Sequence, residues 1–171
     1  RAWRDLERIV GLGERPSGSP KNAALRDLLV AELAGAGLTP VREAFEEKTP
    51  TGMVSFENIY ADLLAPAKDG VPAPLAILCT HFDTKRLEFT FVGANDGGSG
   101  TAVLLELARS LAAAPAERKI TYRFLFQDGE ESINREWSGE DNTYGSRYHV
   151  KKLGLDGLLP RVKACVLLDL V

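Results

Sequence analysis

Residues 120–131 read ITYRFLFQDGEE, which is an apolar run followed by a glycine and two adjacent carboxylates, Glu130 and Glu131. The apolar run predicts a buried strand. Acidic side chains at the end of a buried strand lose hydration, so they are costly to keep unless a partner uses them. The loop that follows carries Trp137 and leads into Tyr144-Gly145-Ser146-Arg147. These features indicate a functional site at the carboxyl end of this strand.

Strands and helices alternate on both sides of this stretch. Leu75–Cys79 is a short apolar run typical of a strand buried on both faces, and Thr101–Ala114 has the spacing of an amphipathic helix. Further along, the sequence predicts a helix over Tyr144–Leu153 and a last apolar strand over Val162–Leu170. Such alternation predicts parallel β-α-β units with helices on both faces of the sheet.

The N-terminal part adds helices over residues 2–11 and Pro20–Ala36, followed by strands over Thr39–Thr49 and Met53–Leu64. Because these two strands are close in sequence, we expect them to form an antiparallel hairpin at one edge of the sheet. The predicted fold is therefore a three-layer α/β/α sandwich with a mixed, mostly parallel sheet. One domain is expected to span residues 1–171.

The composition excludes some classes of function. The chain has 171 residues, of which 44% are hydrophobic and 26% are charged, as in an ordinary globular domain. Its net charge of −3 provides no basic surface for nucleic acid. No apolar run approaches the roughly 20 residues of a membrane span. The cysteines, Cys79 and Cys165, lie in apolar runs and are expected to be buried thiols, with a disulfide between neighbouring strands as the alternative.

Separate segments carry polar side chains to one predicted edge of the sheet. They are His81 and Asp83 after one strand, Glu130 and Glu131 after the next, Asp169 near the end of the last, and Asp96 before a helix. The carboxyl ends of parallel strands are where ligands bind in open α/β sheets. Carboxylates and imidazole without a nearby thiolate suit Zn²⁺. In an extended backbone adjacent side chains point to opposite sides, so one glutamate can bind metal while the other transfers protons.

Structural roles remain open for each of these residues. Asp96 can cap the following helix, and the glutamate pair can be a solvated turn. His81 alone can be structural, whereas Asp169, expected inside the last strand, needs a partner there. His149, in a predicted helix, is expected at the surface or beside the site without binding metal. The glycine-rich residues 93–100 lack a following lysine and contain an acid, which argues against phosphate binding.

The motifs THFD at 80–83, GANDGGSG at 93–100, DGEE at 128–131 and LLD at 167–169 resemble, in that order, the zinc aminopeptidases of the M28 family. Within that superfamily, further features resemble the glutaminyl cyclases: Lys85, Phe91–Ala94, residues 11–20 and the segment from Trp137 to Arg147. The resemblance implies a zinc cofactor and peptide or protein N-termini as substrates. It also favours export to the periplasm or the cell exterior and leaves the oligomeric state open.

The resemblance implies that Asp96 and Glu131 bind zinc and that Glu130 is the general acid and base. In both groups of enzymes a further zinc-binding histidine lies beyond the Leu-Leu-Asp strand, whereas this chain ends at Val171. From this we expect the catalytic domain to be incomplete at its C-terminus.

The remaining roles depend on the type of enzyme. Asp169 would hydrogen-bond the reacting amide in a cyclase, or bind a second metal in an aminopeptidase. His81 would be a ligand of that second metal only in the aminopeptidase. Asp83 would orient the site, and Trp137 would form a wall of the substrate pocket.

Three functions follow from these assignments. The preferred hypothesis is a zinc-dependent glutaminyl-peptide cyclotransferase, which converts N-terminal Gln to pyroglutamate and releases ammonia. The first alternative is a two-metal aminopeptidase of the M28 type. The second alternative is a non-catalytic binding domain with the same fold.

Overall fold

The computed structural model describes residues 1–115 and 117–171. The strands are β1 (Pro40–Thr49), β2 (Gly52–Leu63), β3 (Leu75–His81), β4 (Thr121–Gln127) and β5 (Val162–Leu167). The helices are α1 (Ala2–Gly11), α2 (Pro20–Gly35), α3 (Gly100–Ala113) and α4 (Tyr144–Leu155), with short helical turns at Ala94–Ser99 and Leu159–Arg161. None of the helices within the described ranges has the length and apolar character that a membrane crossing requires.

The strands form a mixed sheet in the order β1-β2-β4-β3-β5. Strands β3, β4 and β5 run parallel, whereas β1 and β2 form an antiparallel hairpin that joins the sheet through β2 and β4. The predicted edge hairpin and the predicted parallel β-α-β units are therefore confirmed. Since β3, β4 and β5 run in one direction, their carboxyl ends lie at the same edge of the sheet.

Helices cover both faces of the sheet, as the sequence predicts for a three-layer α/β/α sandwich. On one face α1, α2 and α3 pack against β2 and β4, and the fully buried leucines of α2 recur at every fourth position, at Leu25, Leu29 and Leu33. On the other face α4 places Leu153 against Leu75 and neighbouring side chains of the sheet. The side chains of the central strands β3 and β4 are mostly buried, whereas most side chains of β5 are exposed.

The last strand differs from its prediction because it ends at Leu167, before Asp169. The Leu168 N–H donates to the Cys79 carbonyl at 2.8 Å, close to where β3 ends, and Leu170 adopts a φ of 52° that is incompatible with a strand. Predicting a strand through Leu170 is therefore wrong. The expectation of a strand-buried Asp169 is also wrong, since its side chain is 34% exposed.

The two cysteines lie on neighbouring strands, β3 and β5. Cys79 is buried, as predicted, but the expectation of a buried Cys165 is wrong, since Cys165 is exposed on β5. Both are free thiols, with their Sγ atoms 3.9 Å apart.

His149 is also placed differently from its prediction. It is 2% exposed and faces the sheet from α4, where its ring packs edge-on against Tyr60. Its ring nitrogens contact Glu43 of β1 and Arg123 of β4, so His149 belongs to a buried polar network.

Candidate active site

The residues expected at the site come together at the carboxyl edge of β3, β4 and β5. His81 is the last residue of β3, and Glu130 and Glu131 follow β4 by a short turn. Asp169 follows β5, and Asp96 lies in the helical turn before α3. Parallel strand direction thus brings side chains that are distant in sequence to one edge, as predicted.

One imidazole and two carboxylates lie close enough together to share a metal ion. The Nε2 atom of His81 lies 3.0 Å from Oδ1 of Asp96 and 3.6 Å from Oδ1 of Asp169. One ligand atom from each of the three side chains lies within 4.8 Å of the others. A nitrogen and carboxylate oxygens at this spacing can hold a divalent cation such as zinc.

The backbone that carries Asp96 approaches the end of β3 closely. Gly97 has a φ of 73°, and a Cβ atom there would lie 2.8 Å from the Asp83 carbonyl oxygen and 3.2 Å from Cε1 of His81. Glycine adopts this positive φ without strain, and it has no Cβ atom that would clash with Asp83 or His81. The glycine-rich stretch around Asp96 therefore allows this turn to pack against His81.

Asp83 connects the end of β3 to the glutamate pair. Its Oδ1 accepts the Glu130 N–H and its Oδ2 accepts the Glu131 N–H, each at 3.1 Å. Gly129, with a φ of 69°, forms the turn from β4 into this pair. Oδ1 of Asp83 also lies 3.5 Å from Nδ1 of His81. The carboxylate therefore fixes the turn and the imidazole relative to each other.

The two glutamate side chains have different neighbours. Oε2 of Glu130 lies 3.9 Å from Nδ1 of His81, whereas Oε2 of Glu131 lies 3.9 Å from Nζ of Lys85. Burial raises the pKa of Glu130 to about 7; the nearby carboxylates support this shift and His81 opposes it. Burial, Asp83 and Asp96 likewise raise the pKa of Glu131.

His81 has distinct surroundings at its two nitrogens. Burial opposes its charged form, but the neighbouring carboxylates of Asp83 and Asp96 raise its pKa to about 11. Nδ1 is buried and has no hydrogen-bond partner among the described residues. Because Nδ1 faces Asp83 and Nε2 faces Asp96 and Asp169, Nε2 is the nitrogen available to a metal ion.

Asp128 is a buried acid that the sequence interpretation missed. Its carboxylate is 0% exposed and accepts hydrogen bonds from the Ser17 hydroxyl at 2.8 Å, the Asn22 amide at 3.0 Å and the Glu57 N–H at 3.0 Å. Burial, and then the charge of Asp83, raise the pKa of Asp128. Its place beside Gly129 at a buried strand end was the available sequence signal.

Arg15 is a second buried charge that the sequence interpretation missed. Its guanidinium donates to the carbonyl oxygens of Gly13 and Val92 at 2.8 Å each and of Gly93 at 3.2 Å. Burial lowers its pKa to about 10, although the charge of Asp83 opposes the shift. Through these hydrogen bonds, Arg15 connects the loop after α1 to residues 92–93, which precede Asp96.

Trp137 lies in the loop between β4 and α4, and 51% of it is exposed. The loop is organised by Asp141, whose carboxylate accepts the Ile133 N–H at 3.0 Å, the Asn134 N–H at 2.9 Å and the Tyr144 hydroxyl at 2.7 Å. The role of Trp137 as a wall of the substrate pocket stays a prediction.

Replacing Asp128 with Asn should change how stability depends on pH. The folded-state pKa of Asp128 lies above its unfolded value of 3.8, at about 7. Its stabilising contribution is therefore complete below pH 3.8 and is lost as the pH rises towards 7. Because Asn does not ionise, the wild type should lose stability relative to Asp128→Asn over this range. Urea unfolding at several pH values measures the difference, and parallel curves would contradict the assignment.

The chain is similar to known proteins in sequence and in fold. The sequence profile described as "Peptidase family M28" matches residues 58–171. The glutaminyl-peptide cyclotransferase of Gloydius blomhoffii is 36% identical over 170 residues, covering 90% of this chain and 44% of that protein. The chain thus spans less than half the length of this curated relative.

Two solved structures extend the comparison. The crystal structure of Acidobacteriales bacterium glutaminyl cyclase superposes with a TM-score of 0.86 at 30% identity, covering 99% of this chain and 57% of that one. A Zn-dependent exopeptidase from Parabacteroides distasonis superposes with a TM-score of 0.78 at 21% identity, covering 99% of this chain and 60% of that one, which supports the fold alone. The chain belongs to peptidase family M28.

Proposed function

We propose that the protein acts as a zinc-dependent glutaminyl-peptide cyclotransferase, converting N-terminal Gln to pyroglutamate and releasing ammonia. The observation that carries this proposal is the 36% identity to a glutaminyl-peptide cyclotransferase along 90% of the chain. The partly buried Glu130 beside His81 supports it, since the reaction needs one group that accepts and then returns a proton.

The proposed zinc ion would share Asp96 with the group whose ligand atoms lie close together, His81, Asp96 and Asp169, and carboxylates and imidazole are donors that suit zinc. Asp96 and Glu131 would hold the metal, and the carboxylate of Asp96 also contacts Nε2 of His81. When bound, zinc would polarise the γ-amide carbonyl of the substrate and stabilise the negative charge that develops on its oxygen.

Glu130 is the residue we assign to proton transfer. The α-amine of the substrate forms a bond to the γ-amide carbon, and the bond from that carbon to the amide nitrogen breaks. Glu130 would take the proton that the amine loses and deliver it to the departing ammonia. Its pKa of about 7 suits both steps, because a proton carrier works best near the ambient pH.

The substrate would be held by residues on either side of Glu130. Nucleophile and amide belong to the same glutamine, so the protein needs only to fix one ring-forming conformation. Asp169 would hold the amide nitrogen, and its carboxylate lies 3.6 Å from His81, on the same edge of the sheet. Trp137 would cover the side chain of the substrate.

The substitution Glu130→Gln should remove turnover while preserving zinc binding. The amide has the same shape but cannot carry the proton, so we expect ammonia release to fall roughly 10²- to 10⁴-fold. Zinc content should be unchanged, because Glu130 is not among the proposed ligands. The matched control is Glu136→Gln in the same loop, where the side chain is 88% exposed. Undiminished ammonia release in Glu130→Gln would exclude this role.

An aminopeptidase is the second candidate, and one specific observation favours it. Among the described residues, His81, Asp96 and Asp169 lie close enough together to hold a metal ion. Two of them, His81 and Asp169, are the residues that a two-metal peptidase would use for its second ion, and Asp96 is the proposed ligand of the first. In that enzyme Glu130 would activate a water molecule instead of the substrate amine.

Metal stoichiometry separates the two candidates. The full-length protein, loaded with zinc and dialysed, should retain one zinc per chain if it is a cyclase. Elemental analysis of Asp169→Asn provides the control, because Asp169 is a metal ligand only in the peptidase. Two ions in the wild type and one in Asp169→Asn would favour the peptidase.

A further inference from the structure

The loop between β4 and α4 begins at residues 128–130 and ends at residues 143–145. Hydrogen bonds join these two ends, which we call the loop neck. The Thr143 N–H donates to the Glu130 carbonyl at 2.9 Å, and the Tyr144 N–H donates to the Gly129 carbonyl at 2.7 Å. Both are direct backbone contacts. They hold the turn that carries the glutamate pair against the start of α4.

The next connection at the loop neck is supplied by the side chain of Asn58, from β2. Its Oδ1 accepts the Asp128 N–H at 3.0 Å, and its Nδ2 donates to the Gly145 carbonyl at 3.0 Å. Asn58 therefore bridges the two chain segments where the loop leaves β4 and enters α4. The Asn58 amide thus connects the Asp128 N–H and the Gly145 carbonyl through a side chain.

The orientation of the Asn58 amide is determined by its surroundings. The second proton of Nδ2 is donated to Oε2 of Glu43 at 2.9 Å, so the nitrogen faces two acceptors and the oxygen faces one donor. A flipped amide would oppose like groups at all three contacts. Since Asn58 is 0% exposed, no water can replace them.

Glu43 is itself held in place by His149. Nε2 of His149 lies 3.3 Å from Nη1 of Arg123, and a guanidinium can only donate, so Nε2 accepts. Nδ1 therefore carries the proton and donates it to Oε2 of Glu43 at 2.9 Å. Arg123 is fixed in turn by two hydrogen bonds of 2.8 Å to Asp62.

Gly145 leaves no room for a side chain at this bridge. A Cβ atom there would lie 2.3 Å from the Asp128 carbonyl oxygen and 2.4 Å from Oδ1 of Asn58. A Cβ atom added at Gly154, in the same helix, would lie 3.4 Å from Cδ1 of Leu159, which is an ordinary van der Waals contact. The close approach of α4 to the loop neck thus depends on the glycine at position 145.

We propose that Asn58 is a positioning residue that closes the loop neck and so holds the Glu130–Glu131 turn against Asp83. The Glu43–His149 pair keeps the Asn58 amide oriented. The effect on turnover rests on the proposed cyclotransferase function, whereas the effect on the loop neck does not.

The test compares Gly145→Ala with Gly154→Ala in the full-length protein. Alanine favours the helix at both positions, so only the clash at position 145 distinguishes the two variants. Hydrogen exchange measured by mass spectrometry should be roughly 10-fold faster in peptides spanning 128–131 and 143–145 of Gly145→Ala, and unchanged in Gly154→Ala. The kcat for ammonia release should fall about 10- to 100-fold in Gly145→Ala, with a smaller change in KM, because the glutamate is displaced.

A second variant, Asn58→Ser, removes the bridge without introducing a clash. It should reproduce the faster exchange at 128–131, while exchange in α3 stays at its wild-type rate. Unchanged exchange at the neck in folded Gly145→Ala and Asn58→Ser would overturn the proposal. If the variants exchange faster but the wild type releases no ammonia, the loop closure is supported and the proposed function is refuted.

Discussion

The carboxylate of Asp83 joins the two strand ends from which the site is made. It follows β3 and accepts the N–H groups of Glu130 and Glu131, which follow β4. Hydrogen bonds to an ionised acceptor are stronger than those between neutral groups, so this contact fixes the turn firmly. Because the same carboxylate approaches Nδ1 of His81, the imidazole and the glutamate pair are positioned together.

This arrangement crowds acids at one edge of the sheet, and both hydrogen-bond donors and cations offset the cost. Lys85 lies 3.9 Å from Glu131, and Arg26 lies 4.0 Å from Asp128. Asp128 is satisfied by a hydroxyl, an amide and a backbone N–H. Arg15 is also buried and donates its hydrogen bonds to carbonyl oxygens rather than to a carboxylate. Its positive charge also interacts with the charge of Asp83. The pKa of Glu130 is nevertheless raised, by burial first and then by the nearby carboxylates, while His81 opposes the shift.

The sequence predicted the central fold and the convergence of His81, Asp96 and Asp169, because strand periodicity and the common direction of parallel strands determine both. It did not predict the Glu43–His149 pair, since their contact joins residues 106 positions apart. The burial of Glu43 has no local signature, because it depends on Asn58 and His149, which lie elsewhere in the chain. The end of β5 was missed because the apolar pattern continues past Leu167, whereas the pairing with β3 does not.

We propose that this site cyclises an N-terminal glutamine. The most direct test incubates the zinc-loaded full-length protein with a peptide that begins with Gln and follows the peptide by mass spectrometry. We expect the peptide to lose the mass of one ammonia while every residue is retained. Release of the first amino acid, or a peptide left unchanged, would contradict the account.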